Sequence, residues 1–270
     1  MIDLTILSIF RQSSSYLARY FSQIEKAFQL SDGRCHALWL EGDSTDDTCA
    51  LLAQKKRELE QMGHLVTIVK NDLRKELWPS VKNAKRWNQL AACWNKCLGS
   101  LLPSKIAVCV ESDLIWDPSI IQKIVPKLDK EHQVIAPMLL LDKSKEVMGE
   151  WWFYDTWGFS RGKHKFRLTN PYWKRMKHLR HEKELLEVST AGGLLVSTYD
   201  VYHKSKWDLE TCILSYPQGT KVFLDKTLQI YHPATRFINE ASQIKIRARK
   251  ALNSLMDRYA LARGYEKITM

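Results

Sequence analysis

Hydrophobic and polar positions in the first half of the chain alternate between two patterns. Five apolar runs of strand length lie at 4–10, 36–41, 64–72, 105–113 and 133–141. The stretches between them space apolar residues three or four positions apart, the first with Leu17, Tyr20, Phe21, Ile24 and Phe28. Such spacing is typical of a helix with one buried face. Strands that alternate with helices in this way predict an α/β fold, with a mostly parallel central sheet flanked by helices.

The ends of the second helix carry recognisable signals. Ser44 and Asp47 have the spacing of a capping box, in which two side chains bind the free main-chain N–H groups of the first turn. Gly63 suits the position just after the last turn. We therefore predict a helix that runs from Thr48 to Met62.

The pattern changes in the second half of the chain. Residues 150–183 are dense in aromatic and then in basic side chains, and apolar runs at 189–197 and 220–233 predict closing strands. The basic segment 237–270 predicts an amphipathic helical extension at the C-terminus. We predict a single domain over 1–236, followed by this helical extension.

Composition limits the classes of protein that fit. Of the 270 residues, 45% are hydrophobic, which is enough for a core, and 11 Gly with 8 Pro exclude collagen-like and low-complexity chains. No apolar run approaches the roughly 18 residues that cross a bilayer. Asp3 precedes the first apolar run where a signal peptide would be basic, and the six cysteines form no CxxC pair. These features predict a cytoplasmic protein with reduced thiols and no transmembrane segment.

The charge of the chain is strongly positive. Lys and Arg number 41 against 30 Asp and Glu, a formal net charge of +11. Nine of the basic residues lie between Arg161 and Lys183, interleaved with three His and with Phe166, Tyr172 and Trp173. This composition suits a polyanionic partner or an anionic lipid surface, and equally a solvated loop.

Acidic residues follow two of the predicted parallel strands. Asp43 and Asp46 come after the second run, and Glu111 and Asp113 end the fourth. Ligands of parallel sheets bind beyond the carboxyl ends of the strands. Carboxylates at such a position suit Mg²⁺ or Mn²⁺ carried by a diphosphate, although one Asp-containing turn alone is more often a helix cap.

These segments resemble the GT-A glycosyltransferases. ALWLEGDSTDDTCALL is similar to the second-strand segment of that family, and AVCVESDLIWDPSII to the segment with its metal-binding acids. FYDTWGF (153–159) and EVSTAGGLLVSTYDVY (187–202) resemble the acceptor region of family 2-like enzymes and of fungal and capsule mannosyltransferases. The resemblance covers 4–235. It implies a Rossmann-like GT-A fold, with a nucleotide-sugar-binding half over 1–125 and an acceptor-binding half over 126–236.

The resemblance also implies roles for individual residues. Asp113, Glu111 and His232 would hold Mn²⁺ or Mg²⁺. The UDP- or GDP-sugar donor would contact Glu41, Asp43, Asp46, Arg86, Asn88, Glu111 and Ser112. The acceptor would lie near Trp151, Trp152, Asp155, Trp157, Gly192, Gly193, Lys163, Lys165 and Arg167. The paired Glu and Asp that supply the base in many inverting members have no direct match, and the nearest acids are Glu210 and then Asp208.

Three interpretations of the function remain open at this point, two of which differ in the acceptor. A basic, aromatic segment beside a sugar-transfer site suits double-stranded DNA with a hydroxymethylated base, as in a bacteriophage DNA glycosyltransferase acting in the host cytoplasm. A glycan or lipid-linked acceptor is the second possibility. The third is a nucleic-acid-binding protein that keeps the fold without the activity. A nucleotidyltransferase is disfavoured, because the segment after the first strand has no Gly-rich phosphate loop. The oligomeric state is not predicted.

Overall fold

The computed structural model describes residues 1–72, 84–141 and 184–233, within which ten strands and five helices form. The strands are β1 (Ile2–Phe10), β2 (Cys35–Glu41), β3 (Leu65–Lys70), β4 (Ser104–Val110), β5 (Val134–Leu141), β6 (Leu185–Val188), β7 (Leu194–Thr198), β8 (Lys206–Trp207), β9 (Leu214–Ser215) and β10 (Val222–His232). The helices are α1 (Ser14–Gln29), α2 (Thr48–Gln61), α3 (Ala84–Leu98), α4 (Ser119–Ile124) and α5 (Tyr199–Tyr202), and a 3-10 turn at Val125–Lys127 follows α4.

Eight strands form one sheet in the order β3-β2-β1-β4-β7-β5-β10-β6. β1, β2, β3 and β4 are parallel to their neighbours in this group, and β5 is parallel to β10. β7 and β6 run in the opposite direction, and β8 and β9 form a separate hairpin. The predicted α/β fold with a mostly parallel central sheet is confirmed.

Helices cover both faces of this sheet. α1, α2 and α4 pack on one face, where the predicted stripe of α1 is fully enclosed. α3 and α5 pack on the other face, together with the side chains of β4, β5 and β7. All seven residues of β2 are buried, which explains its continuous apolar run. Each buried large apolar side chain stabilises the fold by about 1.5–3 kcal/mol relative to exposure.

The start of α2 differs from the predicted capping box. α2 begins at Thr48 as predicted, but neither Ser44 nor Asp47 caps it with a side-chain hydrogen bond. The main-chain N–H of Thr48 donates instead to Asp46 Oδ1 at 3.1 Å. Ser44 donates its N–H back to Glu41. The capping-box prediction was therefore wrong, because the loop after β2 turns back onto that strand before the helix begins.

The second half of the sheet is less regular than the sequence predicts. The predicted strand over 189–197 is β7, which begins only at Leu194, and β6 and the β8–β9 hairpin were not predicted. These strands have two to five residues, too few to show a hydrophobic period. Residues 150–183 and the extension at 237–270 lie outside the described residues. Across the described ranges, no helix is long and apolar enough to cross a bilayer.

Candidate active site

The loops that follow β1 and β2 are joined at the carboxyl edge of the sheet by Gln12. Its φ of 52° places it in the left-handed region, which turns the chain sharply after β1. Its main-chain N–H donates to Ser44 Oγ at 3.0 Å, and its side-chain amide donates to Thr45 Oγ1 at 2.7 Å. Its side-chain oxygen accepts the N–H groups of Thr45 at 3.0 Å and Asp46 at 3.2 Å. The two loops are thereby linked into one unit.

The Asp46 carboxylate binds the main chain of these same loops. Its oxygens accept the N–H of Ser14 at 3.0 Å and that of Thr48 at 3.1 Å. Burial opposes ionisation here, but the hydrogen bonds from Thr48 and Ser14 outweigh it and lower the pKa of Asp46 to about 2. Asp46 therefore uses both carboxylate oxygens to hold the main chain of these loops.

Glu41 has a similar role one strand end away. Its side chain is buried and accepts the Ser44 N–H at 2.7 Å and the Lys70 ammonium at 3.1 Å. Burial raises its pKa, but these hydrogen bonds outweigh that effect and lower the pKa overall. A carboxylate enclosed in this way supports the turn between β2 and α2.

Asp43 is the acid of this turn whose charge faces the end of β1. Its φ of 51° is in the left-handed region, which Asp tolerates better than most residues. The Arg11 Nε lies 3.3 Å from Asp43 Oδ1, and the two side chains are 19% and 16% exposed. An ion pair that is partly open to solvent at a strand end could contact the base or ribose of a nucleotide.

Residues 111–117, which we call the acidic segment, follow β4 and cross the carboxyl edge of the sheet to β10. The N–H of Glu111 donates to Gly193 O at 2.9 Å, just before β7 begins. Ile115 and Tyr231 then exchange two main-chain hydrogen bonds of 2.8 Å each, an isolated antiparallel bridge. This bridge places Asp113 beside His232, the last residue of β10, which is far away in the sequence.

Asp113 and His232 form the central pair of the candidate site. His232 Nε2 lies 3.3 Å from Asp113 Oδ2, with the histidine 9% and the aspartate 35% exposed. On the other side of the ring, Nδ1 lies 2.8 Å from the carbonyl oxygen of Pro233. Burial lowers the pKa of His232, but the Asp113 carboxylate, the Glu111 charge and the Pro233 carbonyl outweigh it, so the pKa is raised.

This geometry fits a divalent cation. Both ring nitrogens of His232 face acceptor atoms, whereas a neutral imidazole has one N–H to donate. If Nδ1 donates to Pro233, a cation between Nε2 and Asp113 satisfies the other side, as in metal-binding histidines that donate their second N–H to a carbonyl. Adjacent ligands of a small divalent cation are about 3 Å apart, close to the observed spacing.

The protein would supply only part of the coordination. Among the described residues, no three or more His, Cys, Asp and Glu side chains form a metal-binding group. Glu111, which the resemblance also implies as a ligand, is exposed and does not complete such a group. Asp113 and His232 would leave the remaining positions to phosphate oxygens and water, as is usual for Mg²⁺ with phosphorylated substrates.

Ser112 lies within the acidic segment, and Gly192 and Gly193 lie beside it, just before β7. Ser112 is buried and donates to the Ile9 carbonyl at 2.9 Å, so its hydroxyl is directed at β1. Gly193 has a φ of 78°, and a Cβ there would lie 2.8 Å from Leu139 Cδ2. The Leu194 N–H donates to Gly192 O at 3.0 Å, which closes a tight turn around Gly193. The turn brings the Gly193 carbonyl within hydrogen-bond distance of the Glu111 N–H. Glycine permits this close approach because it has no side chain.

Arg86 and Asn88 lie near the start of α3. Cys97 of this helix contacts the Leu38 carbonyl in the middle of β2, and Lys96 donates to Lys70 O at the end of β3. Because α3 precedes β4 and runs against the strands, its first turns extend beyond the carboxyl edge. Arg86 is half-buried and Asn88 is exposed there. This position is compatible with their predicted contact to the donor.

The candidate bases Asp208 and Glu210 lie in the connection between β7 and β10. β7 runs antiparallel, so Thr198 at its end lies beside Ile106 at the start of β4, and β10 begins with Val222 beside Val134. The connection between them leaves and rejoins the sheet at its amino edge, but Trp207 within it exchanges two hydrogen bonds, of 2.7 and 2.8 Å, with the side chain of Asn95 in α3. Asp208 Oδ1 accepts the Thr211 N–H at 2.6 Å, and Glu210 is exposed. The assignment of either acid as the base stays a prediction.

Several residues of the site carried no sequence signal. Gln12 and Arg11 follow a strand without a motif, and Tyr231 is one of several aromatic residues in a strand. Arg19 of α1 donates to the Asp113 carbonyl at 2.7 Å. The sequence pattern places Arg19 on the polar side of an amphipathic helix, but it does not show which carbonyl group the side chain binds. The predicted acceptor residues from Trp151 to Arg167 lie outside the described residues.

Comparisons with known proteins give distant structural similarity. The chain matches no protein-family model and no curated protein. A mannosyltransferase from Pyrobaculum calidifontis with GDP-Man and Mn²⁺ is 14% identical, with 49% of this chain and 34% of that chain covered and a TM-score of 0.38. Glucosyl-3-phosphoglycerate synthase from Mycobacterium tuberculosis with Mg²⁺ and UDP is 17% identical, with 51% and 44% covered and a TM-score of 0.35.

A mycobacterial protein is similar over more of the chain. It is 13% identical, with 87% of this chain and 68% of that chain covered and a TM-score of 0.41. The chain thus spans less than half the length of the first two structures. Similarity of this degree fixes neither an activity nor a substrate.

Proposed function

We propose that this protein is a metal-dependent glycosyltransferase that moves a sugar from a UDP- or GDP-sugar to an acceptor hydroxyl. The observation that carries the proposal is the pair formed by Asp113 and His232 at the carboxyl edge of the sheet. It lies on the same edge as the linked loops after β1 and β2, with the Arg11–Asp43 ion pair. The GT-A resemblance of the same segments agrees with this assignment.

The proposed reaction is a substitution at the anomeric carbon of the donor. The acceptor oxygen forms a bond to that carbon, the bond to the diphosphate oxygen breaks, and its electron pair leaves with the nucleoside diphosphate. The acceptor proton passes to a carboxylate base if the anomeric configuration is inverted, and to the leaving diphosphate if it is retained. A divalent cation held by Asp113 and His232 would supply charge that offsets the negative charge growing on the leaving diphosphate. Asp113 and His232 would orient that diphosphate, and the loops joined by Gln12 would bind the nucleoside.

We further propose DNA with a hydroxymethylated base as the acceptor. The support is compositional: nine basic residues between Arg161 and Lys183 carry a single acid, Glu182, and alternate with aromatic residues. Basic side chains bind phosphates, and flat side chains stack on an extruded base. A glycan or a lipid-linked sugar is the alternative acceptor, and a nucleic-acid-binding protein without activity is the rival function.

The test is donor turnover with a purified protein and Mn²⁺. UDP- and GDP-sugars are supplied one at a time, with and without hydroxymethylated duplex DNA, while released nucleoside diphosphate and DNA mass are measured. We expect release with a sugar-sized gain in DNA mass, and a loss of at least about 100-fold in Asp113→Ala. The matched control is Asp117→Ala, an exposed acid of the same segment whose carboxylate accepts the Ser119 N–H at 3.0 Å.

The outcomes separate the candidate functions. Release without a change in DNA mass keeps the glycosyltransferase and assigns the acceptor to glycans or lipids. DNA binding without release from any donor favours the rival function. Equal loss of turnover in Asp113→Ala and Asp117→Ala would remove the assignment of Asp113 to the metal.

A further inference from the structure

Two side chains on one face of α1 contact the acidic segment at Ser112 and Asp113. Tyr16 and Arg19 are three positions apart, and the Arg19 guanidinium lies 6.0 Å from the centre of the Tyr16 ring. Arg19 Nη2 donates to the carbonyl oxygen of Asp113 at 2.7 Å, and the Tyr16 hydroxyl lies 3.2 Å from Ser112 Oγ. The helix therefore touches the main chain of the residue proposed to bind the cation.

The acidic segment needs such support. Inside it, the main-chain bond from the Leu114 N–H to Glu111 O is 3.4 Å, which is long for a hydrogen bond. The Asp113 carboxylate is 35% exposed, so neighbouring side chains enclose it only partly. A shift of the main chain at Asp113 would carry the carboxylate away from His232, which is fixed at the end of β10.

The Arg19 bond has the properties of an orienting contact. A charged donor to a carbonyl gives a shorter and stronger hydrogen bond than a neutral one. Tyr16 limits the guanidinium on one side and donates to Ser13 Oγ at 2.7 Å, which connects it to the loop after β1. The positive charge also lies beside Asp113, where it offsets part of the repulsion between that acid and an arriving diphosphate.

We propose that Arg19 is a positioning residue of the metal site: it fixes the main chain of Asp113, and thereby the affinity of the Asp113–His232 pair for a divalent cation. This inference rests on the proposed function. Arg19 acts through Asp113, so its removal lowers cation affinity without removing a ligand. Contacts that orient metal ligands typically contribute about 10–100-fold to affinity.

A matched control lies one turn further along α1. Gln23 is buried, and its side-chain amide donates to the carbonyl oxygen of Trp116 at 2.8 Å. It thus makes the same type of bond, from the same helix to the same segment, three residues beyond Asp113. Substitution of Gln23 removes a comparable stabilising contact while the Asp113 carbonyl keeps its donor.

The experiment compares Mn²⁺ binding by the parent, Arg19→Met, Arg19→Lys and Gln23→Met. Free Mn²⁺ is measured from its paramagnetic resonance signal during titration in the presence of UDP and, separately, GDP. We expect affinity about tenfold weaker in Arg19→Met, a partial recovery in Arg19→Lys, and a change within about twofold in Gln23→Met. Thermal unfolding of each variant shows that it is folded at the titration temperature. Donor turnover against Mn²⁺ concentration is measured in parallel.

Parent-like Mn²⁺ affinity in Arg19→Met would overturn the inference, as would equal weakening in Gln23→Met, which would indicate general loosening of the segment. A parent protein that binds no Mn²⁺ with either nucleotide would overturn both this inference and the metal site. If the parent binds Mn²⁺ and Arg19→Met weakens it, but no donor is turned over, the positioning role stands and the glycosyltransferase function fails.

Discussion

At the residue scale, His36 of β2 gives the fold a sensitivity to acid. Its side chain is fully buried, and Nε2 lies 3.0 Å from Thr67 Oγ1, while Nδ1 has no hydrogen-bond partner. Burial, aided by the charge of Lys56, lowers the pKa of His36 from 6.5 to about 4. Between pH 6.5 and about pH 4, His36 is protonated in the unfolded chain but stays neutral in the folded chain. The free energy of unfolding therefore decreases as the pH is lowered through this range.

We expect His36→Gln to flatten this dependence. One pKa unit corresponds to about 1.4 kcal/mol, so the histidine accounts for a loss of up to about 3 kcal/mol across that range. The measurement is urea unfolding of both proteins at steps from pH 7 to pH 4. The control is His203→Gln, which changes an exposed histidine. If the parent and His36→Gln lose the same stability between pH 7 and pH 4, His36 does not cause the acid sensitivity.

Individual residues also show how far sequence reasoning reaches into the site. The positions of Asp43 and Asp113 follow from the rule for parallel strand ends, because each acid comes directly after a buried apolar run. The distinct tasks of Asp43 and Asp46 could not be predicted. Both lie in one polar turn, and only the folded loop shows that Asp46 binds main-chain N–H groups while Asp43 contacts Arg11.

At the scale of elements, the turn before β7 controls the approach of main chain to the acidic segment. Gly193 combines a φ of 78° with a Cβ position 2.8 Å from Leu139, and its carbonyl accepts the Glu111 N–H. Any other residue here is strained by its backbone and pushes against Leu139. The same displacement would move Glu111 and, through it, Asp113.

We expect Gly193→Ala to destabilise the protein and to raise the KM for the donor. The left-handed backbone costs about 1–2 kcal/mol for a residue with a Cβ, and the contact adds to it. Gly219→Ala is the control, because its φ is 86° and no atom lies within 4 Å of a Cβ there. Chemical unfolding and donor kinetics of both variants are compared. Equal stability and equal KM in the two would show that the Leu139 contact has no effect.

The strands explain which part of the fold could be predicted. Runs such as 36–41 and 105–113 are long, apolar and separated by helical stripes, so both their type and their parallel order follow from the pattern. The direction of β7 does not, because a five-residue apolar strand looks alike in either direction. That direction decides at which edge of the sheet the connection to β10 begins, so the course of the connection that carries Asp208 and Glu210 could not be predicted from the pattern.

At the scale of the whole molecule, the net charge of +11 favours association with polyanions. Each phosphate that a basic side chain neutralises adds about 0.9 to the slope of log affinity against log salt. We expect duplex DNA to bind with a strong salt dependence. Joint substitution of Lys163, Lys165 and Arg167 by Gln should reduce the slope by about 2–3.

The matched control for this measurement replaces Lys123, Lys130 and Lys204, three exposed lysines elsewhere in the chain, by Gln. It changes the net charge by the same amount, so any difference between the two triple variants reports on position. Binding is followed by fluorescence anisotropy from 50 to 300 mM salt. Equal slopes in both variants would remove the basic segment from the DNA-binding surface and favour a glycan acceptor.

The bridge between Ile115 and Tyr231 joins two segments that leave the ribosome at very different times during synthesis. The loops after β1 and β2 use only early residues, so they can close while the later chain is still on the ribosome. His232 emerges much later, and Asp113 gains its partner only when β10 joins the sheet. A nascent chain can therefore close these two loops before Asp113 meets His232, and the last strand of the described residues brings that pair together.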